Sequence, residues 1–574
     1  MQYNGGGSTG REVDMRRHFA TAPITFAVLV TTTICAILLV TPASTVTTKY
    51  FNDLLVFLDG GYRVALGQVP NHDFHTALGP LAFYVPGFGY WLSERLGMAM
   101  PLGMTALIAL VAPIMIHVLQ TRMRPLIAIP TGILLLFVLA APHNTGEVIT
   151  NISFAMFYNR IGWALLGLLL IMYLAPIRPM RGQIALDTLG AVVLTLFLLY
   201  TKISYGLVAV AFLFLVLLQP VQRRWAALSL LAVVACISVI ELIWSGTRAH
   251  VNDLIVAASV SGSKTIVSYI NVLLDNLTEY APFCLIAGLA LWRTRSVSDF
   301  LFYMFCAGAG LALVIQNFQN HGIITLLIGV AVAAEQLARG WPHHLPRPFD
   351  IAVRGGWLVA VVLMLPVGLA SGAALGLHAA MAMSGAGTSL DLPNARGLRI
   401  AETINPWDYK LYRSYADSLE AGASLLQSLD DPVKKVLVID FASPFTSLMG
   451  LEAPESGTAW MHDGRNFNAD FHFPPDEFLH GVEVVMIPKK PIAGSTTDLM
   501  LEIYDDHFEQ YFEQIRDTQE WVVLRRTDDT TGPHQPRPRL SSAASFFAPC
   551  AQTDADQTRF GFNFNALRFI VHCR

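Results

Sequence analysis

The sequence predicts a helical membrane protein with many transmembrane segments, followed by a water-soluble domain of mixed helices and strands. Of its 574 residues, 53% are hydrophobic and only 14% are charged, so the chain is more apolar than an ordinary soluble protein. Apolar stretches long enough to span a bilayer recur along it. From residue 385 onward these stretches shorten to the length of strands, which indicates a change from a membrane domain to a small α/β domain.

Eleven apolar stretches are predicted to cross the membrane, so we expect a polytopic α-helical fold with about eleven transmembrane helices. They cover residues 22–42, 101–120, 126–141, 161–175, 184–200, 204–219, 226–245, 281–292, 299–316, 322–338 and 356–376. The first apolar stretch is longer than the core of a signal peptide, so it is predicted to be a retained span. Residues 1–21 form the expected cytoplasmic N-terminus, and residues 22–384 form the expected membrane domain.

Basic residues in alternate connections predict the orientation, because cytoplasmic loops are enriched in Lys and Arg. These residues are Arg16, Arg17, Arg122, Arg124, Arg178, Arg181, Arg223, Arg224, Arg293, Arg295, Arg339, Arg347 and Arg354. They fall on one side only if residues 79–96, which contain Pro80 and Pro86, do not cross. We therefore expect a helix at the outer interface there, within a long first periplasmic loop of residues 43–100.

The C-terminal domain, residues 385–574, is predicted to be periplasmic because the number of spans is odd. Its expected strands and helices alternate. The strands are residues 436–439, 482–487 and 521–524, the helices are residues 409–429 and 497–516, and residues 531–548 form an irregular loop. Its turn at residues 462–465 is polar, and no residue of this domain is predicted to be catalytic.

Four of the six cysteines fall in apolar stretches, where cysteine acts as a small hydrophobic residue. Cys550 and Cys573 lie in the polar C-terminal part, and a disulfide between them is plausible if that part is outside the cytoplasm. The chain has no basic stripe with interleaved aromatic residues, so a nucleic-acid partner is not expected.

Charged residues cluster in the first periplasmic loop. Residues 52–81 contain three aspartates, two histidines and one arginine. Charges beside a bilayer are costly, and this makes the segment a candidate functional site. Asp59 and Arg63 are four residues apart, which predicts a surface ion pair on a helix. Asp73 lies between two histidines, and it is interpreted as a second carboxylate, a ligand of a divalent metal, or the cap of a turn.

One ordered set of residues in this loop carries a family resemblance. The set is Asp53, Gly67, Pro70, Asp73, Gly79, Pro80 and Leu81. In this order after a first span, within residues 45–125, it resembles the GT-C glycosyltransferases, including their protein-mannosyltransferase and arabinosyltransferase members. The resemblance implies a multi-span fold and a polyprenyl-phosphate sugar donor, and it implies that Asp53 is the base. Asp73 is the other candidate catalytic carboxylate.

Cations on the outer face are candidates to bind the donor phosphate, since the positive-inside rule disfavours them there. Lys202 lies alone between two apolar stretches, and Arg160 precedes another. The guanidinium fork of arginine suits phosphate well. The alternative is that these side chains bind no ligand and only extend their charges to the membrane interface. Polar loop residues are the candidates to bind the sugar, and they are His75, Glu147, Asn320 and His321.

The sequence therefore predicts a glycosyltransferase of the bacterial inner membrane, which uses a polyprenyl-phosphate donor and a cell-envelope glycan or glycolipid acceptor. No cofactor is assigned apart from the divalent metal left open at Asp73. A transporter or flippase for a lipid-linked sugar is the main alternative, although no internal repeat supports it. The family often has two adjacent acidic residues where this chain has Asn52 and Asp53, so a non-catalytic assembly protein is a third interpretation.

Overall fold

A computed structural model describes residues 9–262, 264–317, 319, 321–339, 347–455 and 457–527. Its helices are α1 (Thr9–Val40), α2 (Phe51–Ala65), α3 (Leu81–Ser93), α4 (Leu96–Arg122), α5 (Pro125–Ala140), α6 (Phe157–Ile171), α7 (Gln183–Thr201), α8 (Ile203–Leu217), α9 (Arg223–Trp244), α10 (Thr247–Ser261), α11 (Ile266–Asp275), α12 (Leu277–Thr294), α13 (Val297–Asn317), α14 (Ile324–Arg339), α15 (Arg347–Met383), α16 (Pro406–Gln427), α17 (Phe445–Met449), α18 (Pro475–Phe478) and α19 (Gly494–Tyr511). Its strands are β1 (Thr45–Thr47), β2 (Thr388–Ser389), β3 (Leu398–Ile400), β4 (Val436–Val438), β5 (Val484–Pro488), β6 (Phe512–Asp517) and β7 (Trp521–Arg526).

Each of the eleven apolar stretches has a helix in the structure. Among the described residues, six helices are long and apolar enough to cross a membrane, and α11 with α12 makes a seventh if the bent pair is one span. Three further apolar helices, α5, α6 and α8, are shorter. The fold is thus a helical membrane protein, and the count of eleven spans stays a prediction.

The predicted basic connections meet at one end of the helical bundle. Arg178 donates to the carbonyls of Gln120 and Met123 at 3.1 and 3.2 Å, and Arg293 donates to the carbonyl of Gln336 at 3.0 Å. Arg339 donates to carbonyls of two other connections, including that of Arg122. We call this the basic end.

The first loop folds into β1, α2 and α3, and its helices pack against each other and against α4. Helix α2 forms because apolar residues recur on its buried faces, and Asp53 in its first turn suits the positive end of the helix dipole. Gly67 follows the helix with φ at +97°, a conformation that favours glycine and that ends the helix. The predicted helix within residues 79–96 is present as α3, while its place at a membrane interface stays a prediction.

The C-terminal region, residues 385–527, contains a four-stranded sheet of order β4-β5-β7-β6, in which β4 and β5 are parallel and the other pairs are antiparallel. Strand β1 of the first loop pairs with β3 in a second small sheet. One helix prediction was wrong at its end, because the last residues of the segment 497–516 form β6. Pairing with β7 overrides the local helical pattern there. The proposed irregular loop and the cysteines Cys550 and Cys573 lie outside the described residues.

The Asp59–Arg63 pair was wrongly predicted to lie on the surface. The two side chains are 2.8 Å apart, but they are only 5% and 1% exposed. The C-terminal region covers the pair: the backbone N–H of Ser447 donates to Asp59, and Arg63 donates to the carbonyl of Pro454, both at 3.3 Å. The sequence pattern of α2 alone could not reveal this cover, since it comes from a segment nearly 400 residues away.

Candidate functional site

The candidate site begins with Asp53 in the first turn of α2. Its carboxyl is largely removed from water, and this burial raises its pKa to about 6, although the charge of Arg465 partly opposes the shift. A carboxylate with a pKa near neutrality accepts a proton more readily than an ordinary aspartate, which suits a general base.

Lys202 lies in the connection between α7 and α8. Its Nζ donates to Asn159 at 3.1 Å and also to Asn317, and it lies 4.9 Å from the centre of the Tyr158 ring. Burial lowers the pKa of Lys202 to about 7, and the nearby charge of Arg465 lowers it further. Because both of its hydrogen-bond partners are neutral amides, the ammonium charge is not neutralised by a carboxylate in these contacts.

Gly79 of the first loop fixes the position of the Lys202 connection. Its N–H donates to the carbonyl of Thr201 at 3.1 Å. A Cβ at this position would lie 2.0 Å from the carbonyl oxygen of Tyr200, closer than side-chain atoms approach backbone. Glycine is therefore required for the first loop to pack directly beside Lys202, which gives a physical reason for one residue of the family-like pattern.

Arg160, in the first turn of α6, is only 1% exposed. Its Nη1 donates to the amide oxygen of Asn144 at 2.9 Å and to the carbonyl of Ala155 at 3.2 Å. Its Nε and Nη2 are buried and have no hydrogen-bond partner among the described residues. Buried donors are nearly always paired in folded proteins, so an anionic ligand is a natural partner for these groups.

Aromatic packing brings these three residues into one neighbourhood. Phe57, one turn along α2 from Asp53, packs against Tyr158 with ring centres 5.6 Å apart. Tyr158 lies under the Lys202 ammonium and within range of the charges of Asp53 and Arg160. The structure thus gathers Asp53, Lys202 and Arg160 at what we call the site end. Arg160 lies in the first turn of α6 and Arg178 in the connection that follows its last turn, so the site end and the basic end are separated by about 22 Å, the length of the 15 residues of this helix.

Glu147 lies at the edge of this site. It accepts hydrogen bonds from Tyr50 and Asn151, both at 3.0 Å, and its carboxylate is 3.8 Å from Lys49. Its charge also acts on Arg160. These contacts place Glu147 close to the candidate site, and its predicted role in sugar binding stays a prediction.

His75 lies where the first loop contacts the C-terminal region. Its Nδ1 and Nε2 are each 2.9 Å from a carboxylate oxygen, of Asp253 and of Glu477 respectively. Burial alone would lower the pKa of His75, but these two hydrogen bonds raise it to about 9. The imidazole therefore carries a positive charge at neutral pH and joins α10 to α18. Its predicted role in substrate binding stays a prediction.

The remaining predicted site residues are dispersed. Asp73 accepts a hydrogen bond from the N–H of Val69 at 2.7 Å. Of the three interpretations of Asp73, this contact corresponds to the cap of a turn. The backbone N–H of His321 donates to Asn276 at 3.0 Å, and its side chain is half exposed. Asn320 lies outside the described residues. Within the part of the chain that the structure describes, no three His, Cys, Asp or Glu residues form a group suited to a metal ion.

Three residues near the site were not predicted from the sequence, namely Tyr158, Asn159 and Arg465. The first two are adjacent to Arg160, so their sequence position was a usable signal. Asn317 ends α13 and belongs to the same polar turn as Asn320 and His321, a turn whose residues are predicted from the sequence as candidates to line a sugar pocket. Arg465 belongs to the C-terminal region, where the sequence indicated only a polar turn.

No protein-family model and no curated protein matches the chain. Two solved structures that it resembles are those of ArnT from Cupriavidus metallidurans, one in the apo state and one bound to undecaprenyl phosphate. The sequence identity is 12% for the bound form and 11% for the apo form, and each comparison covers 88% of this chain and 99% of ArnT with a TM-score of 0.44.

Proposed function

We propose that this protein is a glycosyltransferase that transfers a sugar from a polyprenyl-phosphate donor to a cell-envelope glycan or glycolipid acceptor. One observation carries the proposal. A carboxylate with a pKa of about 6, Asp53, shares a neighbourhood with Arg160, a buried arginine whose Nε and Nη2 have no partner among the described residues. A glycosyl transfer from a phosphate needs a base for the acceptor and cations for the leaving group.

The reaction assigns a separate task to each charged group. Asp53 takes the proton from the acceptor hydroxyl, whose oxygen then bonds to the anomeric carbon of the donor. The bond between that carbon and the phosphate oxygen breaks, and its electron pair leaves with the polyprenyl phosphate. Arg160 and Lys202 hold the phosphate, since both present donors that are not neutralised by a carboxylate in the contacts described above. Asp73 and Glu147 are candidates for further contacts to the sugars.

In this proposal the site end faces the periplasm of a bacterial inner membrane. Residues 1–21 are cytoplasmic, residues 22–384 form the membrane domain, and residues 385–574 form a periplasmic domain. The orientation rests on the basic end, because four of its arginines lie in connections predicted to be cytoplasmic.

Sugar transfer in membranes from a deletion strain tests the proposal. The strain is complemented with wild-type protein, Asp53→Asn or Lys202→Ala, and the membranes receive a panel of radiolabelled polyprenyl-phosphate sugars. We expect wild type to consume one donor and Asp53→Asn to be slower by about 10²–10⁴-fold, the usual contribution of a general base. Asp470→Asn, which alters an exposed carboxylate of the C-terminal region, is the matched control and should transfer like wild type.

Two outcomes would contradict this assignment. Consumption of no donor by wild-type membranes would reject the glycosyltransferase. Transfer by Asp53→Asn at the wild-type rate would reject Asp53 as the base and leave the role to another carboxylate, such as Asp73. Protein levels in each membrane preparation must be equal for either conclusion.

A transporter of lipid-linked sugars is the second candidate, and one observation favours it. Helices α11 and α12 form a pair bent by 80° at a short break, a geometry found in the discontinuous helices of transporters. The transfer assay separates the two functions, because a transporter would move the labelled lipid between leaflets without forming a glycosidic bond.

A further inference from the structure

A chain of hydrogen bonds connects Arg160 to the segment that precedes α2. The amide oxygen of Asn144 accepts from Nη1 of Arg160 at 2.9 Å, and the amide nitrogen of Asn144 donates to Oε1 of Glu147 at 3.4 Å. The same Oε1 accepts from the hydroxyl of Tyr50 at 3.0 Å. Tyr50 immediately precedes α2, three residues before Asp53. The chain therefore connects the buried arginine of the candidate site to the helix that carries the proposed base.

The amide of Asn144 fits between its two neighbours in only one orientation. A guanidinium offers only N–H donors, whereas an ionised carboxylate only accepts. The amide oxygen must therefore point to Arg160 and the amide nitrogen to Glu147, as they do in the structure. Glu147 is close enough for its charge to act on Arg160, yet the neutral side chain of Asn144 lies between them. Asn144 thus separates a buried arginine from a carboxylate of opposite charge.

Glu147 is fixed by contacts to both of its carboxylate oxygens. Its Oε1 accepts from Tyr50 and Asn144. Its Oε2 accepts from Nδ2 of Asn151 at 3.0 Å and lies 3.8 Å from Nζ of Lys49. The loop around these residues is also closed by its backbone, because the N–H of Glu147 donates to the carbonyl of Asn144 at 3.2 Å. With both oxygens engaged, the carboxylate stays at the nitrogen end of the Asn144 amide, while Arg160 lies at the oxygen end.

Asparagine amides contact both cations of the proposed phosphate site. Nη1 of Arg160 donates to Asn144 and to the carbonyl of Ala155, whereas Nε and Nη2 are buried and have no hydrogen-bond partner among the described residues. Asn159, the residue before Arg160, accepts from Nζ of Lys202 at 3.1 Å. An amide oxygen can hold a cation in place without cancelling its charge, since the amide itself is neutral.

A carboxylate in place of this amide would serve stability and oppose phosphate binding. Hydrogen bonds between a guanidinium and a carboxylate are roughly twice as strong as those between neutral groups, so a direct pair would stabilise a buried Arg160. The same carboxylate would compete with the phosphate for the positive charge. A neutral amide avoids this competition, because it positions one nitrogen of the guanidinium and leaves the charge to an anionic ligand.

We propose that Asn144 is a positioning residue of the candidate site, which orients Arg160 toward the phosphate of the sugar donor and keeps Glu147 from neutralising it. This inference rests on the proposed function. It gives Asn144 no contact with the substrate, because the residue acts through the guanidinium of Arg160. Through Glu147 and Tyr50 the same chain of bonds ties this cation to the helix of the proposed base, so both groups are preorganised for the reaction.

Asn144→Asp tests the inference, because it keeps the shape of the side chain and adds a carboxylate beside Arg160. In full-length protein, kcat/KM for the sugar donor should fall about 10²-fold, since the phosphate meets a neutralised arginine. The inhibition constant of free polyprenyl phosphate should rise about tenfold, as expected for the loss of one charge-assisted hydrogen bond. The unfolding temperature should stay the same or rise, because a buried arginine gains a counter-charge. A purely structural role predicts no such opposition between activity and stability.

The controls separate the charge at Arg160 from a disturbance of Glu147. Asn151→Asp also adds a carboxylate beside Glu147, but the Asn151 side chain bonds to Oε2, on the other side from Asn144, so this variant should transfer at nearly the wild-type rate. Asn144→Asp/Glu147→Gln removes the repulsion between two carboxylates, and it should still transfer more slowly than Glu147→Gln alone. This pair also serves if Asn144→Asp does not fold.

Each result decides for or against the inference. If wild type transfers sugar and Asn144→Asp transfers equally well, with an unchanged inhibition constant, the inference fails while the proposed function stands. An equal loss of transfer in Asn151→Asp also overturns it, because the effect would then come from Glu147. So does a loss of transfer that is accompanied by a lower unfolding temperature and that disappears in the Glu147→Gln background. If wild type transfers from none of the donors, the proposed function fails and this inference fails with it.

Discussion

Two buried arginines show how the basic end and the site end differ. Arg122 at the basic end is fully buried, and its Nη2 lies 2.7 Å from a carboxylate oxygen of Asp187. Arg160 at the site end is 1% exposed, yet its hydrogen bonds in the described structure go only to neutral oxygen atoms, of Asn144 and Ala155. The same side chain at similar burial thus has a carboxylate within ion-pair distance at one end and, among the described residues, none at the other.

This difference separates a charge that stabilises the fold from a charge that the proposed function would use. A buried charge is costly unless it is paired, so a chain selected only for stability would supply Arg160 with a carboxylate, as it does Arg122. The Asp187 carboxylate is also 2.9 Å from His117, so the basic end forms a network. At the site end, Arg160 contacts only neutral oxygen atoms among the described residues, an arrangement that the proposed binding of a phosphate would use.

The largest effect should come from breaking the pair at the basic end. Arg122→Met leaves Asp187 buried beside a neutral side chain, and we expect it to destabilise the protein by about 3–5 kcal/mol. Thermal unfolding in detergent measures the loss. The double variant Arg122→Met/Asp187→Leu removes both charges and should recover much of it. Equal losses of stability in the single and double variants would show that an unpaired Asp187 is not the cause of the destabilisation.

Arg160→Met is the matching change at the site end and should give the opposite pattern. It removes a buried charge that, among the described residues, has no carboxylate within ion-pair distance, so the unfolding temperature should stay the same or rise. Sugar transfer should fall about 10²–10³-fold, because the leaving phosphate loses a preorganised donor. A loss of stability comparable to that of Arg122→Met, measured in the same detergent, would show that Arg160 is structural and would remove the distinction between the two ends.

The pH dependence of transfer should also belong to the site end. In the proposed reaction Asp53 is the base and must be ionised, so kcat/KM should rise as pH increases through about 6. In the same proposal Lys202 binds the phosphate and must be protonated, so kcat/KM should fall as pH increases through about 7. The profile should be bell-shaped, with limbs that approach a tenfold change per pH unit. In Lys202→Met the fall in kcat/KM at alkaline pH should disappear, while the rise at acid pH remains. A pH profile unchanged by this variant would exclude Lys202 as the group that binds the phosphate and titrates near pH 7.

The sequence predicted much of this fold because hydrophobic patterns are local. Helices were found at all eleven apolar stretches, and α3 was expected from its breaks at Pro80 and Pro86. The strand β6 was missed because its place depends on pairing with β7. The cover over Asp59 and Arg63 was missed for a similar reason, since the covering residues are distant in the chain.

For the candidate site, the sequence identified the charged residues, and the fold showed which of them lie close together. Asp53, Lys202 and Arg160 could be selected because charges near a membrane are rare. The positive-inside rule, however, cannot distinguish a cation with a carboxylate partner from one without. His75 was selected for the same reason as Asp53, but the fold surrounds it with Asp253 and Glu477. Arg465 could not be selected, because a charged turn in a soluble region is ordinary until the fold brings it to the site.

The smallest effect on stability is expected at His75. Its charge, like that of Arg122, is paired with carboxylates, so we expect it to stabilise the fold. The pKa of His75 is raised from an ordinary value of 6.5 to about 9, so its ion pairs stabilise the docking of the C-terminal region on the first loop fully below about pH 6.5, and this contribution is lost as pH rises through about 9. Because Glu477 is 41% exposed and His75 is 21% exposed, we expect His75→Gln to cost only about 1 kcal/mol.

Hydrogen exchange of residues 457–467 at pH 7 and pH 9.5 measures this stabilisation. Wild type should lose protection at the higher pH, and His75→Gln should be less protected already at pH 7. His72→Gln, at a neighbouring exposed histidine, is the control. If His75→Gln left exchange unchanged at pH 7, the His75 pairs would not hold the C-terminal region at the site, and the docking would rest on the backbone bonds to Gly457 and Ala459 instead.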